Sequence, residues 1–204
     1  MGPDDRWKTF LNVIGGEILQ NPAEVEVIYR LVEAVRPRVF LEIGSAHGGT
    51  LVIYAGACAP GATIISLDTG LNRSYAEQLG RSIEWLKAEG FSAHWIRGDS
   101  HAPETVEQVR DLLGGRPVDF LHVDGDHREA GALADWRMYG PLVRPGGLVA
   151  FHDIAFEPEP GARAGWDQIK TSQERWVEII GPPVRVSGGG DALYRLGVGV
   201  FWKV

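Results

Sequence analysis

Two hydrophobic periods alternate along the chain. Short runs of β-forming residues occupy Val39–Ile43, then 62–68, 93–100, 118–124 and 148–153, and an acidic residue falls in or at the end of each. Between them apolar residues recur at helical spacing over 22–35, 50–57, 74–89, 102–113 and 128–140. The first helix has Asn21 to cap it and Pro22 at its first position, with Val25, Ile28, Leu31, Val32 and Val35 on one side, and Arg36-Pro37 ends it. Strands that alternate with helices predict a parallel sheet covered on both faces, because each crossover between parallel strands carries a helix.

The two ends are less regular. Residues 5–20 carry apolar positions around Gly15-Gly16 and form an N-terminal extension or a cap over a pocket. Residues 158–165 read as a mobile loop, and Trp166, Ile169, Trp176, Ile179 and Ile180 predict one further helix. Segments 184–186 and 196–204 read as final strands, joined by a hairpin-like turn over Gly188-Gly189-Gly190-Asp191. Residues 1–204 are expected to form one domain, in which 155–176 supply the loop and helix over an acceptor site.

Charge and composition narrow the partners. A net charge of -7 argues against a nucleic-acid binder working through a basic face. The single cysteine, Cys58, excludes an internal disulfide and fits a reducing compartment; it reads as a buried helix residue. The N-terminus lacks a signal pattern and no apolar run reaches membrane length, so a cytoplasmic protein without a membrane partner is expected. A homo-oligomer stays open, since the N-terminal segment can serve as an interface as well as a cap.

Candidate chemistry collects at the carboxyl ends of the predicted strands, where open parallel sheets bind ligands. Glu42 to Gly44, Asp68, Asp99, Asp124 and Asp153 all fall there. The stretch Glu42-Ile43-Gly44-Ser45-Ala46-His47-Gly48 joins a strand to a helix through a glycine loop, which lets backbone N–H groups approach a ligand. A dinucleotide fingerprint starting at Gly44 needs glycine at position 46, which is alanine. Asp68 lies where an acid would hold ribose hydroxyls in either kind of nucleoside site.

This arrangement resembles the class I S-adenosylmethionine-dependent methyltransferases over about residues 22–154. The acidic-x-Gly-x-x-x-Gly loop (Glu42, Gly44, Gly48) is similar to that family's first motif. Val-Asp-Gly-Asp-His at 123–127 and Leu-Val-Arg-Pro-Gly-Gly at 142–147 are similar to small-molecule O-methyltransferases of the cephalosporin-hydroxylase-like and macrolide-sugar types. The resemblance implies a Rossmann-like, doubly wound α/β sheet, mostly parallel with an antiparallel C-terminal strand. It implies that the loop, with Ser45 and Thr50, lines the methionine and ribose, that Asp68 holds the ribose, and that Asp99-Ser100 flank the adenine. Asp124 is implied as a cofactor contact and as a metal ligand, and His127 as the base that takes the acceptor's proton.

Asp124 with Asp153 can hold a divalent ion, Mg²⁺ or Mn²⁺, that polarises the acceptor oxygen. His152 joins that set and departs from the relatives, which carry an acid before Asp or Asn; an imidazole suits Mn, Fe, Ni or Zn better than Mg²⁺. The expected activity is methyl transfer to an oxygen of a small molecule, a sugar or natural-product hydroxyl. A nicotinamide-dependent oxidoreductase, a non-catalytic nucleoside-binding module and transfer to nitrogen stay open as alternatives. Among residues read as structural, Asp126 caps the following helix, Asp135 with Arg137 forms a solvated helix face, and His94 and His122 lie within strands. His47 reads as a solvated loop histidine, His101 as a rim or surface residue, and Trp166 as core or as lining of the acceptor pocket.

Overall fold

A computed structural model describes residues 18–185 and 191–204. The N-terminal extension up to residue 17, and most of the glycine turn expected at 188–191, lie outside the described residues. Helix α1 spans Pro22–Val35, and the side chain of Asn21 accepts from Ala23 N–H at 3.0 Å. There follow β1 (Val39–Ile43), α2 (Gly49–Ala55), β2 (Thr63–Asp68), α3 (Arg73–Ala88), β3 (Ser92–Arg97), α4 (Pro103–Leu113), β4 (Val118–Val123), α5 (Glu129–Tyr139) and β5 (Val143–His152). Every predicted strand and helix in this stretch is present.

The sheet runs β3-β2-β1-β4-β5, with all four of these pairings parallel. Beyond β5 the chain adds α6 (Gly161–Lys170), β6 (Trp176–Ile179), β7 (Val184–Arg185), β8 (Leu193–Tyr194) and β9 (Val198–Trp202). Strand β9 pairs antiparallel with β5, and β6 antiparallel with β9, completing a doubly wound α/β sheet of seven strands. Helices α1, α2 and α3 pack on one face through Ile28, Leu51 and Leu79, and α4, α5 and α6 on the other through Val109, Tyr139 and Trp166. Among the described residues no helix is long and apolar enough to cross a membrane.

The C-terminal third corrects four expectations. The segment 158–165 is not a loop throughout, since α6 begins at Gly161. The further helix expected to reach Ile180 stops at Lys170, and Trp176–Ile179 is an edge strand. Its register on β9 sets Glu178 where Trp166 Nε1, Lys170 Nζ and Arg163 Nη1 all donate to its carboxylate, at 2.8, 2.8 and 3.1 Å. Residues 184–185 pair with 193–194 in a separate two-stranded ribbon, while β9 joins the main sheet. Strand β5 also starts earlier than expected. Pro145-Gly146-Gly147 lies inside it, where the register on β4 shifts and Gly146 N–H donates to Lys203 O.

Candidate active site at the strand carboxyl ends

The strand order reverses between β1 and β4, so their ends splay into a crevice. Gly44 and Asp124 meet there. Asp124 N–H donates to Ile43 O at 2.8 Å, and Gly44 N–H to Leu67 O at 2.9 Å. Gly44 has φ +80°, and a Cβ on it would stand 2.1 Å from the Asp124 carbonyl oxygen. Only glycine fits this crossing.

Three cavities open along the same edge, and Gly125 lines all of them. One, of about 250 Å³, lies among Gly44, Asp68, Asp99, Ser100, His101 and Gly125. The second, about 310 Å³, adds Ala46, Leu71, Asn72 and Tyr75 beside Asp68 and Asp124. The third, about 630 Å³, shares Asp126 and Arg128 with the first and adds His127, Glu129, Glu159 and Pro160. The carboxylate of Asp68 accepts from Ala46 N–H at 2.9 Å and Gly70 N–H at 2.7 Å, which folds the glycine loop around it. Ala46 itself has φ +48°, a left-handed conformation.

Several residues expected at the cofactor turn inward instead. Glu42 is fully buried, accepting from Thr50 Oγ1 at 2.8 Å and from His122 Nδ1 at 2.9 Å. Ser45 is buried, its hydroxyl bonded to that of Ser66 at 2.8 Å. Gly48 lies against Ser82 and Leu79 at the start of α2. The side chains of Glu42, Ser45 and Thr50 therefore hold the loop's shape, while Gly44, Asp68, Asp99 and Ser100 face the cavity. His47 is buried rather than solvated, its ring near that of Tyr75. Trp166 is fully buried core and lines none of these three cavities. Cys58 lies just past α2, and burial holds its thiol pKa far above the ordinary range.

The ends of β4 and β5 bring together Asp124, His152 and Asp153, whose ligand atoms lie within 4.8 Å of one another. His152 Nδ1 is 3.3 Å from Asp124 Oδ1 and 3.1 Å from Asp153 Oδ1. Yet neither ring nitrogen of this buried histidine makes a hydrogen bond, so the oxygens flank the ring without lying along an N–H bond. Neighbouring ligands around one cation stand about 3 Å apart and point at the ion rather than at each other. Two carboxylates and an orphaned imidazole in this arrangement fit a divalent metal. Asp153 has φ +61°, a strained conformation of the kind that collects at functional sites.

His127 stands over the cluster. Its Nε2 is 3.3 Å from Asp153 Oδ2 and 3.6 Å from Asp124 Oδ1, and its Nδ1 bonds Glu159 Oε2 at 3.2 Å. The nearby Asp124 carboxylate chiefly raises its pKa, against burial and with help from Asp153 and Glu159, to about 9. Burial lowers the pKa of His152, but the Asp124 and Asp153 charges more than offset it and hold it well above the ordinary imidazole range. For Asp124 burial works upward, and the neighbouring His152 and His127 imidazoles outweigh it, keeping the carboxyl strongly acidic.

Two residues of the site were not singled out in the sequence, and a third was read as structural. Gln20 Nε2 donates to Asp124 Oδ2 at 2.7 Å, and Glu159 holds His127. Asp135, expected on a solvated face, is fully buried beneath Ser100, its Oδ1 3.2 Å from His101 Nε2. Burial pushes its carboxyl up to about 6, and Ser100 and His101 offset this only in part. Its spacing from Ala132 and Tyr139, both buried on α5, was a legible signal; Gln20 and Glu159 left none. Asp126, expected as a helix cap, accepts instead from the Arg128 backbone and guanidinium just before α5, whose N-cap is Arg128.

The description "Methyltransferase domain" matches residues 41–154, more than half of the chain. An uncharacterized protein, y4gI, of Sinorhizobium fredii is 29% identical over 126 residues; the match spans 60% of this chain but 14% of that relative. Among solved structures, the O-methyltransferase of Bacillus cereus in complex with S-adenosylhomocysteine superposes with a TM-score of 0.67 at 18% identity, covering 96% of this chain and 86% of that one. The O-methyltransferase TomG of Streptomyces achromogenes, involved in tomaymycin synthesis and in complex with S-adenosylmethionine, gives 0.67 at 17% identity, covering 90% and 81%.

Proposed function

The chain belongs to the methyltransferase-domain family, and from that premise we propose that it transfers the methyl group of S-adenosylmethionine to an oxygen of a small molecule. The observation that carries this reading is the contact between cavities. The crevice at Gly44, Asp68 and Ser100 and a roomier pocket at His127 share Gly125, Asp126 and Arg128 as lining, and Asp124 lines the cavity next to both. A nucleoside in the first and an acceptor in the second would meet over the ends of β1 and β4.

The transfer breaks the sulfonium carbon–sulfur bond, forms a carbon–oxygen bond in line with it, and releases the hydroxyl proton. On this reading His127 Nε2 takes that proton. The charges that hold a proton on its ring are chiefly those of Asp124 and Asp153. Compensating them returns the imidazole toward its neutral form, the form that acts as a base. Asp124, His152 and Asp153 would hold a divalent cation, which when bound supplies a Lewis acid for the acceptor oxygen. The imidazole in this set favours Mn²⁺ or a later transition metal over Mg²⁺. Residues 155–176 contribute Glu159, Pro160 and Gly161 to the acceptor side, in keeping with one domain that builds both halves of the site.

The likeness to two O-methyltransferases with S-adenosyl ligands supports oxygen as the acceptor. A sugar or other polyhydroxylated acceptor fits best, since Asp126, Arg128, Glu129 and Glu159 line the pocket with polar groups. A thermal-shift titration tests the cofactor: S-adenosylhomocysteine should raise the melting temperature and NAD should not. Stabilisation by NAD alone would overturn the reading. Radiolabelled methyl transfer from S-adenosylmethionine to a panel of small hydroxyl compounds then tests the acceptor class, and labelled nitrogen acceptors alone would refute oxygen transfer.

A further inference from the structure

The metal cluster has a neighbour from the opposite end of the chain. Gln20 precedes α1, and its carboxamide nitrogen donates to Asp124 Oδ2 at 2.7 Å. The other oxygen of Asp124 is the one that faces His152 and His127. The two carboxylate oxygens therefore have different partners, an amide N–H on one side and the cluster on the other. The Gln20 carbonyl oxygen is buried and has no hydrogen-bond donor.

The backbone that presents Gln20 is firmly held. Asn21 caps α1 with its side-chain oxygen while its Nδ2 donates to Pro182 O at 2.7 Å. One turn later Glu24, fully buried, accepts from Gly181 N–H at 2.7 Å and from Gly197 N–H at 3.0 Å. Gly181 packs so tightly on Asn21 that a Cβ would come within 2.4 Å of its side chain. Gln20 thus projects from a fixed point beside the sheet.

We propose that Gln20 is a positioning residue of the metal site: its amide holds Asp124 Oδ2 so that Oδ1 is aimed at the cation shared with His152 and Asp153. This rests on the metal reading above. The physical reason is the one that makes outer partners of ligating carboxylates matter. A carboxylate free to rotate spends part of its time off the ion, and a hydrogen bond to the oxygen that does not ligate removes that freedom.

The test is Mn²⁺ binding by the full chain, followed by isothermal titration and by loss of the free-ion electron paramagnetic resonance signal. Neither readout needs the acceptor. Gln20→Met, which keeps the length of the side chain and removes both the donor and the acceptor of the carboxamide, should weaken Mn²⁺ binding by about 10- to 100-fold. Gln20→Ala should do the same. The metal-free melting temperatures should stay at that of the unaltered protein, which separates positioning of the ligand from a role in folding. Unchanged Mn²⁺ affinity in Gln20→Met, with Asp124→Ala abolishing binding, would overturn the role of Gln20 and leave the metal site standing. Failure of the unaltered protein to bind Mn²⁺ would overturn both.

Discussion

Glu42 on β1 and His122 on β4 face each other across the middle of the sheet, the imidazole Nδ1–H donating to Glu42 Oε1 at 2.9 Å with both side chains fully buried. Thr50 at the start of α2 donates to the same oxygen. The acid that opens the glycine-loop motif thus ties two strands and a helix together from behind the site. Removing one member of such a group leaves the other buried without its partner. Glu42→Ala should lower stability by about 3–5 kcal/mol, and Glu42→Gln, which keeps an acceptor, by less. Chemical denaturation measures both; a Glu42→Ala protein of ordinary stability that has lost S-adenosylhomocysteine would restore Glu42 as a cofactor contact.

Gly44 and Gly61 share a left-handed backbone, with φ +80° and +71°, but differ in surroundings. A Cβ at Gly44 collides with the Asp124–Gly125 backbone, while one at Gly61 meets nothing within 4 Å. Gly61→Ala should therefore cost only the backbone preference, about 1 kcal/mol. Gly44→Ala should cost about 3 kcal/mol or more, because β1 and β4 must also separate. Urea midpoints of the two variants decide it, and equal losses would mean that the crossing is looser than described.

Asp135 gives stability a pH dependence with a definite sign. Its carboxyl pKa is raised from 3.8 to about 6 by burial. Between those values the folded protein holds a proton that the unfolded chain has released. This residue's contribution is fully present below about pH 4 and is lost as pH rises through 6. Asp135→Asn removes the dependence. Its stability relative to the unaltered protein should rise from pH 4 to pH 7 by up to about 3 kcal/mol, and a difference that is flat or falls with pH would contradict the burial argument.

His127 separates chemistry from binding. It lines the third cavity and approaches Asp124 and Asp153 but does not line the crevice assigned to the nucleoside. With an acceptor in hand, His127→Gln should slow methyl transfer by about 10²- to 10⁴-fold. Calorimetry should find the affinity for S-adenosylhomocysteine unchanged. An undiminished rate would remove His127 from the role of base.

The alternation of five strands with five helices was legible because each of these elements announces itself locally, through a period of two or 3.6 and through caps such as Asn21 and Pro22. The acids at the strand ends were legible for the same reason: a strand's carboxyl end is fixed by its own length. Trp176–Ile179 was not legible as a strand, since apolar residues there sit as well on a helix, and pairing with β9 decided the matter. The stretch 39–50 shows the limit within a single motif. Sequence placed Glu42, Ser45 and Thr50 in the loop, but a side chain's direction depends on what the neighbouring strand offers, and here His122 and Ser66 drew two of them inward.

What the sequence determined by itself was the order of elements, the sheet they must build and the edge on which chemistry would gather. Only the tertiary structure decided which polar groups share that edge. Gln20 reaches Asp124 across 104 positions of chain, and Asp135 lies beneath Ser100 and beside His101, loops and helices that come together only when the sheet forms. Periodicity records whether a residue faces inward, because burial of apolar surface acts on each element alone. It carries no record of partners, because a hydrogen bond between distant side chains depends on the register of every strand between them.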